Sequence, residues 1–230
     1  VIPASPHSSK TGNRNLDMVL ADSANSSPGN DASKAVLKIG GATLFSNVSW
    51  ESLIEPLRGT NPTSSIYGIV GGGDTVDSMR ALQKMYPQLS TEEMHWRCIR
   101  LLDATWEIAC ELLPSAIPIA TMSELQRSLS HRQPSVYLVR ISAFYSPEAI
   151  VDLPTHWLPK VGWETTTDAL AWLLAKITSA DRVWIVKQCD CQSIPSLHDA
   201  ALRGIIDPEL ARLANLDNDG HSIRIELVRA

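Results

Sequence analysis

Apolar residues along this chain fall into two spacings. Short continuous runs mark buried strands: Ala35 to Gly40, Ser65 to Val70, Val136 to Ile141 and Arg182 to Lys187. Near the end, Ile223, Ile225 and Leu227 alternate with Arg224, Glu226 and Val228, which predicts a last strand with one wetter face. Between the runs lie segments of helical spacing. Trp50 to Leu57 follows Ser49 as cap, and Asp74 to Tyr86 takes Asp74 as N-cap. The longest, from Thr91 to Leu113, opens on the capping box Ser90-Thr91-Glu92-Glu93 and is stopped by Pro114. Thr166 to Ile177 is an apolar helix, and Pro208 to Leu213 is a short one with Asp207 as cap and proline at its first position. Strands alternating with helices predict an α/β fold with a largely parallel sheet.

Residues 1–33 lack this patterning. They are rich in Ser, Asn, Pro and Ala and carry no aromatic residue, so they bury too little apolar area to offset their ordering entropy. A flexible N-terminal arm is expected there, with a short docking turn at Leu16 to Leu20 and the folded domain over 34–230. The chain of 230 residues is long enough to bury a core without disulfides or structural metal.

Charge and cysteine usage narrow the function classes. Twenty Lys and Arg against 25 Asp and Glu give a net charge of −5, a poor match to duplex nucleic acid. No apolar run approaches the roughly 18–20 residues of a membrane span, and no basic region leads into an apolar stretch as in a secretory signal. Cys98 and Cys110 lie about 18 Å apart on one helical pattern, too far to bridge. Cys189 and Cys191 have no second pair at zinc-ligand spacing, so ordinary thiols, no metal site and a cytoplasmic location are expected.

Candidate chemistry gathers where strands end. In open α/β sheets ligands bind beyond the carboxyl ends of the strands. Lys38-Ile39-Gly40-Gly41 ends the first run and Gly71-Gly72-Gly73 follows the second. Glycines let backbone N–H groups approach an anion closely, a helix starting at Asp74 adds a positive dipole end, and Lys38 adds a full charge. Together they resemble a phosphate cradle. There is no G-x-x-x-x-G-K-[ST] loop and no G-x-S-x-G elbow, and Val76 replaces the third glycine of a dinucleotide fingerprint. Thr166-Thr167-Asp168 offers caps and a fixed carboxylate at a helix start, and Lys187 closes the strand Arg182 to Lys187.

These segments, in this order, resemble the amino acid kinase family, which includes acetylglutamate, aspartate and uridylate kinases. The matching motifs are Lys38 to Gly41, Gly71 to Gly73, Thr166 to Ala171 and Val183 to Asp190, and the resemblance covers Ala35 to Ala230. Glu93-Met94-His95-Trp96, Trp163 and Lys187 look closest to the aminomethylfuran phosphate kinase branch of methanofuran synthesis. The resemblance implies a three-layer αβα sandwich. It also implies transfer of the γ-phosphoryl group of ATP, with Mg²⁺, to a small-molecule phosphate or carboxylate acceptor. By the same resemblance Lys38, Asp168 and Lys187 are catalytic, with Asp168 orienting the lysines or assisting Mg²⁺. Gly40, Gly41, Gly71, Gly72, Gly73 and His95 hold phosphate and acceptor, and Thr167 and Asp190 hold the nucleotide. For His95 a helix-packing role is the alternative. The helix over 91–113, with Met94, Trp96, Ile99, Leu102 and Trp106, is expected to pack against a second subunit. Nucleic acid and membrane are not expected partners.

The sequence departs from the family pattern in three places. Lys187 to Ile194 contains no glycine, no lysine follows between Asp190 and Ala230, and Asp74 puts a negative charge directly after the triple glycine. These features keep a second reading open: a kinase-fold subunit that binds an anion or metabolite without turnover.

Overall fold

Seven strands, six of them parallel, form the central sheet among the described residues of the computed structural model, which are 18–19, 33–46, 48–60, 64–131, 133–189, 194–216 and 222–229. The strands are β1 (Met18–Val19), β2 (Lys34–Ile39), β3 (Ser65–Val70), β4 (Ile117–Ile119), β5 (Val136–Val139), β6 (Arg182–Lys187) and β7 (Arg224–Arg229). Their order is β1-β7-β6-β2-β3-β5-β4. All neighbours run parallel except β1, which pairs antiparallel with β7 through Met18 opposite Val228 and Val19 opposite Leu227. The rest of the arm expected over 1–33, Ser33 apart, lies outside the described residues.

Alternation along β2 explains the layers. Val36 packs into one apolar cluster with Tyr67, Val183 and Ile185, whereas Ala35, Leu37 and Ile39 pack into another with Ile66, Trp184 and Val186. Successive side chains point to opposite faces, so each strand buries both sides, as parallel sheets require. Helix α5 (Thr167–Thr178), α7 (Pro208–Leu216) and part of α3 (Thr91–Leu112) cover the first face. Helix α1 (Trp50–Thr60) and the end of α3 cover the second. The fold is the expected three-layer α/β sandwich.

Several local expectations need correction. The last strand has no wet face: Glu226 is fully buried, and its carboxylate accepts a hydrogen bond from Trp184 Nε1 at 2.8 Å. Both faces of β7 are covered and its outer edge is paired with β1, so alternation there does not report solvent. Asp74 is not a cap but the first residue of α2 (Asp74–Met85). The cap is Gly73, at φ 52°, a conformation that favours glycine. Strand β4 and helix α4 (Met122–Leu129) are too short to show a period. The Thr121/Glu124 capping box is their clearest local mark. Ser90 does accept from the Glu93 N–H, as expected. Of the apolar residues of α3 named for a subunit contact, four are buried in the chain itself, while Ile108 and Leu112 of the same helix are exposed. Met94, Trp96, Ile99 and Leu102 are buried, and Trp106 Nε1 donates to Leu138 O at 2.9 Å. Among the described residues, no helix is long and apolar enough to cross a membrane.

Candidate active site

Strand register brings the candidate residues together. Lys38, next to last in β2, lies beside Ile69 of β3 and Ile185 of β6, so the loops after all three strands meet at one edge. Asp168, at the second position of α5, occupies the gap between two of these ends. Its Oδ1 lies 2.8 Å from Lys38 Nζ and its Oδ2 lies 2.8 Å from Lys187 Nζ. Asp168 is 2% exposed and Lys38 6%. Burial pushes the Lys38 ammonium below the usual lysine range, with Asp168 pulling the other way. Burial alone would raise Asp168, but the charges of Lys38 and Lys187 outweigh it and hold the carboxyl below its ordinary range. The ionised trio carries one net positive charge.

Asp207 fixes where that carboxylate stands. Its Oδ2 accepts from Thr166 N at 2.8 Å, Thr166 Oγ1 at 2.7 Å and Ala169 N at 3.1 Å, while its Oδ1 accepts from Leu210 N at 2.6 Å. One side chain therefore caps both α5 and α7. The sequence indicates only the second of these roles. Burial, followed by the nearby charge of Asp168, pushes Asp207 up to about 6 against those hydrogen bonds.

The glycine loops are packed against each other as tightly as backbone allows. A Cβ on Gly41 would stand 1.9 Å from Gly73 N, and one on Gly71 would meet Gly41 N and Thr167 Oγ1 at 3.0 Å. Gly41 and Gly71–Gly73 thus serve loop-to-loop contact as well as any ligand. They line a cavity of about 280 Å³ together with Lys38, Gly40, Thr167, Asp168 and Lys187. Thr43, which sequence reasoning passed over, also lines it. Its hydroxyl is buried without a hydrogen-bond partner among the described residues, and in sequence it looks like any loop threonine.

The remaining expected residues separate. His95 reaches the cavity wall, but both ring nitrogens are taken. Nδ1 donates to Gly162 O at 3.1 Å, an acceptor only, so Nε2 accepts from the Tyr145 hydroxyl at 3.1 Å. Burial pushes its pKa down, consistent with a neutral ring. The helix-packing alternative fits these contacts. Asp74 is exposed and does not line the cavity; the α2 acid that does is Asp77, paired with Arg80 at 2.9 Å. Residues 190–193, half of the loop over 187–194 and including Asp190 and Cys191, lie outside the described residues. Among the described residues no cluster of three His, Cys, Asp or Glu side chains could hold a metal ion. Both oxygens of Asp168 face ammonium groups at 2.8 Å, so that carboxylate does not fit as a Mg²⁺ ligand in this arrangement.

Comparison with solved structures identifies the fold. Uridylate kinase from Archaeoglobus fulgidus superposes with a TM-score of 0.52 at 18% identity, covering 86% of this chain and 100% of that one. UMP kinase from Ureaplasma parvum superposes at 0.55 with 12% identity, covering 85% and 98%. The chain has an amino acid kinase-like fold. No family model and no curated protein matches the sequence itself. In this amino acid kinase-like fold the ion trio and the glycine loops share the strand-end edge where α/β sheets bind ligands.

Two outcomes follow from the packing and the charges. Gly41→Ala should cost roughly 3 kcal/mol or more in urea unfolding, because its Cβ collides with backbone that cannot swing aside. A loss within experimental error would contradict the loop contact. For Asp207, a folded pKa of about 6 against 3.8 in the ordinary carboxyl means that the native state keeps a proton the unfolded chain has lost. Its stabilisation is complete below 3.8 and declines as pH rises to about 6. The stability difference between wild type and Asp207→Asn should therefore shrink across that window, and a difference that grows would reverse the sign.

Proposed function

We propose that this protein is an ATP-dependent small-molecule kinase that moves the γ-phosphoryl group to a phosphate or carboxylate acceptor. The observation that carries the reading is the trio of buried Lys38 and Asp168 with half-buried Lys187, net positive, at the mouth of two interlocked glycine loops. Structural likeness to two kinases that bear uridylate or UMP in their names supports it at the level of fold.

The chemistry suits what the side chains offer. An ionised acceptor oxygen attacks the γ-phosphorus, a new P–O bond forms, and the bond to the β-phosphate oxygen breaks with its electron pair leaving on ADP. A phosphate acceptor becomes a diphosphate and a carboxylate becomes an acyl phosphate. No proton moves, so no general base is needed, and the cavity lining offers no free histidine for one. Catalysis is then positioning and charge stabilisation. Lys38 neutralises the transferring group, and Lys187 offsets charge on the leaving side. Asp168 aims both ammonium groups. Gly40, Gly41 and the Gly71–Gly73 loop present backbone N–H groups, and the Thr43 hydroxyl supplies one more donor. Asp168, with both oxygens on ammonium groups, does not fit as a Mg²⁺ ligand, and no step is assigned to the ion.

The finer reading, phosphorylation of a phosphorylated furan in methanofuran-type one-carbon cofactor synthesis, draws on the motifs around His95, Trp163 and Lys187. The glycine-free sequence after Lys187 is the feature that most favours a non-catalytic anion-binding subunit instead.

Calorimetry with Mg·ATP separates these readings. Binding below millimolar is expected, and none at millimolar nucleotide would remove the kinase. In the active protein Lys38→Ala should lower turnover by roughly 10²–10³-fold, as for loss of one preorganised donor. An unchanged rate would reject the role given to Lys38.

A further inference from the structure

Helix α3 works on two faces. One carries His95, Cys98, Ile99 and Leu102 to the cavity wall. At about 100° per residue, the opposite face is a stripe of Leu101, Ala104, Ile108 and Leu112. The chain leaves this stripe open: Ile108 is 50% exposed and Leu112 44%, Ala104 is exposed, and Leu101 is half-buried. Charge along the stripe is divided. Arg97 and Arg100 stand on its N-terminal half, Glu107 and Glu111 on its C-terminal half. Arg97 is matched by Glu93 at 3.7 Å and Glu107 by Arg140 at 3.4 Å. Arg100 and Glu111 have no ion pair among the described residues.

We propose that this face binds a second copy of the chain, α3 against α3, antiparallel about a twofold axis midway between Arg100 and Glu111. In that direction the stripe is complementary to itself, as a twofold contact requires. Arg100 of each copy faces Glu111 of the other, Ala104 faces Ile108, and Leu101 faces Leu112. A large side chain then stands opposite a small one where the helices cross, and both unmatched charges gain a partner. A parallel pair would set Arg100 against Arg100 and Glu111 against Glu111, which repels. The divided charge also tells against a lipid surface, because anionic headgroups would meet Glu107 and Glu111 as well as the arginines. The contact uses none of Met94, Trp96, Ile99 and Leu102, which the core consumes, and it does not depend on phosphoryl transfer.

Sedimentation equilibrium of the full chain at micromolar concentration and low salt tests this. The wild type should sediment as a dimer. Ile108→Arg, at a position half open to solvent, should raise the dissociation constant roughly tenfold or more. Arg100→Glu and Glu111→Arg should each weaken the pair, and the double reversal should restore it, because the charges exchange places across the axis. Far-ultraviolet circular dichroism of each variant keeps a folding defect apart from a lost contact. A wild-type monomer, a dimer untouched by Ile108→Arg, or single reversals that the double reversal fails to rescue would each overturn the proposal.

Discussion

The arrangement of this molecule turns on one carboxylate held between two ammonium groups. Lys38 rises from the centre of a sheet whose neighbours are all apolar, and a lone ammonium there would pay a large desolvation cost. Asp168 supplies the countercharge, and Lys187 shares it from the next strand. An isolated buried pair would be neutral and would have little to offer an anion. A third charge leaves a surplus of one, placed where three strand ends and a helix start converge. Breaking the group by removing its anion would strand two cations, which is why the fold and the chemistry depend on the same contact.

The trio in turn depends on groups that touch no ligand. Asp207 reaches across from the start of α7 to the first turn of α5, taking up N–H groups that would otherwise be unpaired at two helix ends. The glycine loops interlock backbone to backbone, so the edges of β2 and β3 are fixed relative to each other before any ligand arrives. This is preorganisation in the physical sense: donors and charges are positioned by folding, and little reorganisation is left for the reaction.

Much of this could be read from sequence, and the limits have physical causes. A lysine inside an apolar run and two glycine clusters after successive runs were legible because each breaks a local pattern. So were the strands themselves, since parallel strands buried on both faces appear as unbroken apolar runs. The double role of Asp207 was not legible: locally it is an ordinary cap before Pro208, and its second partner lies 41 residues away. Glu226 misled for a similar reason. Alternation predicts a wet face only where one side of a strand meets solvent, and β7 is covered on both. Along α3, Trp96, Ile99 and Leu102 serve one core layer and Ala109 the other, a division that helical spacing alone does not reveal, while Ile108 and Leu112 stay exposed.

A double-mutant cycle on Lys38→Met and Asp168→Asn, read by urea unfolding, tests the central contact most directly. Asp168→Asn leaves Lys38 buried without its countercharge and Lys38→Met leaves Asp168 paired with Lys187 alone, whereas the double variant removes both buried charges together. The account predicts a coupling of at least about 1 kcal/mol, with the double variant more stable than the sum of the single losses implies. Strict additivity would show that Lys38 and Asp168 do not depend on each other, and would contradict the account.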